Sequence, residues 1–214
     1  MFLEFWAANR PGDLGRDPAA FRPQSGRRSA CPADGLVQPF CDSPVDRNTI
    51  AKNVYLELIS QARRELFICT PYLILDNDLL TALRLAAHRG VDLRIYVPGI
   101  PDKPTIYQLT RSYFAPLLEA GVKIFTYTPG FLHAKTWLCD DRVGAVGTVN
   151  LDYRSLYLHF ECSALIYGSP ELAAIRRDML AIEAASAPVQ LSDCRTSLFG
   201  TLISAVLRLL APLC

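Results

Sequence analysis

His133, Lys135 and Asp140, followed by Gly147, Thr148 and Asn150, stand at spacings that suit work on a phosphodiester. The segment reads H-x-K-x4-D and then G-T-x-N. In an extended segment residues two apart point the same way, so His133 and Lys135 are expected side by side on one face. A neutral imidazole nitrogen can attack phosphorus and carry it as a covalent phosphohistidine. The Lys135 ammonium and the Asn150 amide can hold the non-bridging oxygens as negative charge shifts in the transition state. Thr148 is a weaker candidate for the same duty through its hydroxyl. This chemistry asks for no metal and no cofactor.

A His-x-Lys pair alone is common on solvated strands and loops. So many specified positions in one order, within an apolar sheet-like context, are far harder to obtain by chance. The block resembles the signature of the phospholipase D superfamily. Its continuation, Asn150 to Glu161 (NLDYRSLYLHFE), is similar to that of bacterial cardiolipin synthases. So are Thr70-Pro71-Tyr72-Leu73, the run Leu79 to Val91, and Thr128-Pro129-Gly130-Phe131 ahead of the motif. The similarity runs from about Leu36 to Ala184.

The resemblance implies a fold and a reaction. The fold is an α/β one, a phospholipase D-like α/β/α sandwich with a mixed, mostly buried β-sheet. In the reaction one histidine takes a phosphatidyl group from phosphatidylglycerol and a second phosphatidylglycerol resolves the adduct, giving cardiolipin. Asp140 is then expected to be structural, anchoring the loop beside the motif. Glu161 stands where relatives place an acid that hydrogen-bonds a catalytic imidazole, fixing its tautomer. A strand carboxylate on a solvated face is the equal alternative for Glu161. Relatives of this type also carry a second such motif and hydrophobic anchor segments. This chain has one motif, so it looks like the second half of such an enzyme with a short remnant of the first. The partners implied are a phospholipid, a membrane interface and a second motif-bearing half, from a homodimer or a separate chain. The location implied is peripheral, on the cytoplasmic side of a bacterial cell membrane. A truncated, non-catalytic fragment and a homodimeric phospholipase D-like phosphodiesterase or nuclease are the rival readings.

The remaining polar residues are less telling. His159 could share a face with Glu161, though a strand-edge histidine is the plainer reading. His88 sits at a helix end beside Arg89, where a surface role suits it. Asp152 and Arg154 are expected to pair with local backbone or each other, with substrate contact as the lesser reading. Gly144 and Gly147 allow close approach to phosphate or close packing, and their order is not a dinucleotide-binding fingerprint.

The elements that must position these residues alternate from Leu36 onward, which argues for an α/β sandwich. Helices are predicted over Asn48 to Arg63, from an Asp76 or Asn77 cap to His88 with Gly90 in the C-terminal turn, over Thr105 to Ala120 with a bend or break from Pro116, and over Pro170 to Ala184. Strands are predicted at Leu66 to Thr70, Val91 to Val97, Val122 to Tyr127, Leu132 to Cys139, Arg142 to Gly147 and Leu158 to Tyr167, with Asp140-Asp141-Arg142 as a hairpin turn. Residues 1–35 read as a remnant helix and flexible linker, 36–190 as the catalytic half-domain, and 191–214 as an apolar C-terminal helix. That helix could lie in a membrane interface or pack on the domain or a partner.

The chain has 214 residues, 50% hydrophobic and 20% charged, with a net charge of +1. It can bury a sizeable core, and it has no basic surplus demanding nucleic acid, so no nucleic-acid partner is expected. Its 7 cysteines form no C-x-x-C or Cys/His cluster. They suit buried thiols in a reducing compartment and make a zinc site improbable. There is no apolar run of the roughly 18 residues a spanning helix needs.

Overall fold

A computed structural model describes residues 34–45, 48–194 and 198–213, with Trp6, Asn9 and Arg10 from the preceding segment. Residues Met1–Asp34 and Gly35–Cys214 form two units. The remnant helix and linker expected over 1–35 fall almost wholly outside the described residues; of the described ones, Arg10 N–H reaches the Trp6 carbonyl at 2.8 Å.

Alternation builds the second unit. Strand β1 spans Leu36–Asp42, β2 Glu65–Cys69, β3 Asp92–Pro98, β4 Lys123–Tyr127, β5 Thr136–Cys139, β6 Val143–Gly147, β7 Glu161–Tyr167 and β8 Ser186–Pro188. They form one sheet in the order β1-β7-β6-β5-β2-β3-β4-β8. The β2, β3 and β4 pairings are parallel and the others antiparallel. Helices are α1 (Ile50–Gln61), α2 (Asn77–His88), α3 (Pro104–Ser112), α4 (Phe114–Glu119), α5 (Glu171–Ala184) and α6 (Leu198–Leu210).

Successive side chains of a strand face opposite ways, and the two faces carry separate cores. Leu66, Ile68, Leu93, Ile95, Val97 and Trp137 join the apolar faces of α1 to α4. Phe67, Cys69, Tyr96 and Leu138 meet Leu172 and Met179 of α5 on the other side. The layers are therefore α/β/α around a mixed sheet, as the sequence implied.

Four differences have physical causes. The predicted single helix over Thr105 to Ala120 is two, α3 and α4, joined at Tyr113. Pro116 has no N–H for the carbonyl four residues back and its ring would strike it. The helix therefore ends by Ser112, and Pro116 falls in the first turn of α4, where a missing N–H costs little. The freed Ser112 carbonyl accepts instead from the Arg208 guanidinium of α6, whose Nε also reaches Ser112 Oγ at 3.0 Å. The guanidinium lies 4.6 Å from the Tyr113 ring centre. The one charge of α6 is thus its anchor.

Strand β5 begins at Thr136, later than the predicted Leu132, so His133 and Lys135 lie in an unpaired lead-in. Strand β7 begins at Glu161 rather than Leu158, because Arg154–Leu158 close a π-helical turn. Strands β1 and β8 pair at the two sheet edges and carried no periodic signal of their own. Helix α6 belongs to the same unit as the sheet.

Candidate active site

The strand that follows the motif is pinned at its far end. Asp140, 7% exposed, opens the β5–β6 turn with φ at +51°, and Asp141 follows at +56°. Acidic side chains tolerate this left-handed region because they bond nearby backbone. The Asp140 carboxylate accepts three successive amides, Arg63 and Arg64 at 2.8 Å and Glu65 at 2.9 Å. It therefore ties the hairpin to the start of β2 and does not face His133.

The G-T-x-N segment is held from both sides. The Tyr55 hydroxyl donates to the Val149 carbonyl at 3.0 Å. Thr70 Oγ1 accepts the Leu151 amide at 3.1 Å, and the Leu151 carbonyl accepts the Ile74 amide at 2.7 Å. Val149 and Leu151 are buried, so the residue between them, Asn150, projects the other way. Gly147 is required here, since a Cβ would overlap the Ser163 side chain and meet the Cys162 carbonyl at 2.5 Å. Gly144 likewise leaves room for Leu172 of α5. Both glycines serve packing.

His133 is exposed and Lys135 half-buried. Lys135 Nζ donates to the His133 carbonyl at 2.7 Å. The imidazole lies beside the Phe131 ring, centre to centre 5.5 Å, and Phe131 lies 6.4 Å from Tyr72. The Tyr72 hydroxyl donates to Asp102 at 2.6 Å. Burial above all, and then this hydrogen bond, push the Tyr72 hydroxyl up to about 12.

Two buried carboxylates complete the group. Glu161, 7% exposed, accepts the Thr148 hydroxyl. It is thus neither a solvated strand carboxylate nor, among the described residues, a partner of His133; the imidazole near it is that of His159, Nδ1 to Oε1 3.7 Å. Asp152, 6% exposed, accepts the Asn150 amide at 3.0 Å and the Ser155 amide at 2.7 Å. Burial holds the Lys135 ammonium below its ordinary pKa of 10.5, while Glu161 and Asp152 oppose the shift. Burial, and then the Lys135 charge, hold His133 below 6.5, with Asp102 opposing. An imidazole kept neutral beside an ammonium can act as a nucleophile toward an anion that the ammonium holds.

His133, Lys135, Thr148, Asn150 and Glu161 therefore gather around the start of β5, and Asp140 stands apart at its end. His88 closes α2 away from this group. Among the described residues no cluster of His, Cys, Asp or Glu is arranged to hold a metal.

Residues 55–182 match the family model described as cardiolipin synthase, phospholipase D-like domain. The chain belongs to that family. An uncharacterized protein of Streptococcus mutans is 47% identical over 182 residues, covering 85% of this chain and 40% of that protein. A cardiolipin synthase of Halalkalibacterium halodurans is 38% identical over 180 residues, covering 84% of this chain and 35% of that protein. The chain thus spans well under half the length of these relatives. The fold is shared with phosphatidylserine synthase of Haemophilus influenzae, at a TM-score of 0.66 and 20% identity over 85% of this chain and 46% of that one. It is also shared with Nuc, a phospholipase D family member of Salmonella typhimurium, at a TM-score of 0.62 and 17% identity over 73% of this chain and 99% of that one.

Sequence reasoning passed over Tyr55 and gave Thr70 no role of its own within Thr70-Pro71-Tyr72-Leu73; both work on backbone atoms, which leaves no spacing signature. It gave Asp152 chiefly a local role, with substrate contact as the lesser reading. Its position two residues past Asn150 was the available signal, and only the turn at 154–158 brings its carboxylate back onto the Asn150 amide.

Proposed function

We propose that this cardiolipin synthase-family domain is one catalytic half of a phosphatidyltransferase. His133 attacks the phosphorus of phosphatidylglycerol and forms a P–N bond as the P–O bond breaks, and the departing glycerol oxygen takes a proton from the second histidine, supplied by another motif-bearing half. That histidine then takes the proton of a hydroxyl of a second phosphatidylglycerol, which displaces the imidazole and yields cardiolipin. Lys135 and Asn150 hold the non-bridging oxygens; Thr148 gives its one hydroxyl proton to Glu161 and so braces the segment instead, and Asp140 secures the hairpin. The observation that carries this reading is the gathering of an exposed, neutral-leaning His133 with a half-buried Lys135 against the clamped G-T-x-N segment.

A second observation bears on what completes the site. Lys135 is attended by two buried carboxylates, Glu161 and Asp152, and Asp102 acts on His133. One ammonium among three acids is a weak trap for a phosphate anion. This supports a site finished by further cations and a second histidine from another motif-bearing half, in a homodimer or a separate chain. The domain works at a membrane surface, and the exposed Leu202, Val206, Leu209 and Leu210 of α6 give it an apolar face for peripheral contact. No helix among the described residues is long and apolar enough to cross a bilayer.

The test is incubation with labelled phosphatidylglycerol, with and without a motif-bearing first half, followed by trapping of the acid-labile adduct. Cardiolipin, free glycerol and a label on His133 are expected, all lost in His133→Asn. Cleavage of DNA with no lipid product favours the phosphodiesterase reading instead. Absence of both, even with the partner half, favours a non-catalytic fragment.

A further inference from the structure

The group left without a task above is Asp152, a carboxylate 6% exposed in the middle of the site. Its two oxygens are divided. Oδ1 accepts the Ser155 amide at 2.7 Å, inside the π-helical turn, and Oδ2 accepts Asn150 Nδ2 at 3.0 Å. The Leu156 amide also reaches the Asp152 carbonyl at 3.1 Å, so backbone and side chain both fix the residue.

From this division we infer that Asp152 is a positioning residue, which orients the Asn150 amide for phosphate. An ionised carboxylate has no donor, so only the nitrogen end of an amide can face it. Asp152 therefore decides which way Asn150 points. One N–H is taken by Oδ2, and the remaining N–H is left for a non-bridging oxygen. The Asn150 carbonyl oxygen is buried and, among the described residues, accepts no hydrogen bond, so it does not fix the amide. The same carboxylate attracts Lys135 against the burial that would neutralise it. Glu161 does the parallel work on Thr148. Each polar side chain of G-T-x-N is thus held by its own buried acid.

The helical turn that opens after Asp152 makes this possible, with the side chain accepting the amide three residues on as a helix cap does. An extended chain would send the side chains of residues 150 and 152 the same way but leave the Ser155 amide far off. The turn folds that amide back onto Oδ1 and frees Oδ2 for Asn150.

Because the phosphate role of Asn150 rests on the proposed phosphatidyl transfer, the test combines spectroscopy with turnover. Asp152→Ser keeps a short acceptor for the turn amide but loses the charge and the reach to Asn150. Asp152→Asn keeps the shape but offers a donor, which drives the Asn150 amide to turn over. In the intact chain, the Asn150 side-chain protons are expected to be widely split, and the splitting collapses in Asp152→Ser while the backbone spectrum persists. The Lys135 ammonium is expected to titrate at lower pH in both variants. Turnover on phosphatidylglycerol is expected to fall about 10- to 100-fold, in kcat rather than KM. Unchanged Asn150 protons in Asp152→Ser would overturn the assignment. If the parent chain with its partner half turns over no lipid, the transfer reading falls, and the Asn150 protons still decide the role of Asp152.

Discussion

Lys135 folds its ammonium back onto the carbonyl of His133, Nζ to O 2.7 Å, so the two motif residues share one short lead-in ahead of β5. The ammonium is then a fixed positive neighbour of the imidazole, and burial is the larger cause of the depressed His133 pKa. The sign follows. A neutral ring is the nucleophile, so activity rises with pH through a point below 6.5 and then levels off. The unfolded chain binds more protons than the folded one between those two pKa values, so this ring makes the fold gain stability as pH rises toward 6.5. Lys135→Met removes the positive neighbour and moves the His133 titration upward. Ring-proton titration by NMR checks both statements; a His133 pKa at or above 6.5 in the parent chain contradicts them.

Lys135 and Asn150 are expected to contribute at the transition state. Removing one such preorganised donor costs about 10²- to 10³-fold in kcat. Asn150→Ala should show that loss with KM nearly unchanged, because the amide meets charge that grows only as the P–O bond breaks. Steady-state kinetics on phosphatidylglycerol, with the partner half supplied, separate the two constants. A loss carried by KM alone would mean that Asn150 binds ground-state substrate.

Asp140→Ala is expected to act on stability rather than chemistry. It strips three backbone amides, those of Arg63, Arg64 and Glu65, of a buried charged acceptor. Leaving such donors unsatisfied should cost about 3 kcal/mol. The urea midpoint falls accordingly, while turnover per folded molecule stays near the parent value. Lost turnover in fully folded protein would give Asp140 a direct role in the reaction.

The sequence was most legible where one residue type has one physical use. Asp76 capping α2, its carboxylate 2.8 Å from the Leu79 amide, was readable because few side chains can accept at a helix start. Gly90, at φ +91°, was readable as the turn after α2 for the same kind of reason. The short apolar run of β2 and the alternating β3 announced the sheet. The site was legible as a set of residues but not as a geometry. Nothing in the spacing said that Thr148 would reach Glu161, because that contact depends on register between β6 and β7. Edge strands β1 and β8 escaped notice because each pairs on one side only and needs no strong pattern.

Gly147→Ala tests how tightly that register is set. An added Cβ overlaps Ser163 and crowds the Cys162 carbonyl. Overpacking of this kind costs about 1–3 kcal/mol, and it should also displace Thr148, which exchanges backbone and hydroxyl contacts with Cys162. Adding Ser163→Gly is expected to restore part of the stability, since it removes the side chain in the way but not the carbonyl. Thermal unfolding of the two single variants and the double variant measures the coupling. Strict additivity would show that the strain is relieved elsewhere.

Arg208 offers the sharpest test of how α6 is mounted. Its guanidinium supplies the Ser112 carbonyl with the donor that Pro116 cannot, and it rests on the Tyr113 ring. Arg208→Ala leaves that carbonyl without its charged donor, at a cost of about 1.5–3 kcal/mol. The loss is local, so amide exchange over residues 198–210 should quicken while the sheet stays protected. Pro116→Ala provides an N–H close to the same carbonyl. In that background the Arg208→Ala penalty is therefore expected to shrink, a coupling that a double-mutant cycle reads directly. An Arg208→Ala penalty of the same size with and without Pro116 would show that Arg208 holds α6 through the Ser112 hydroxyl and the Tyr113 ring, independently of the carbonyl that Pro116 frees.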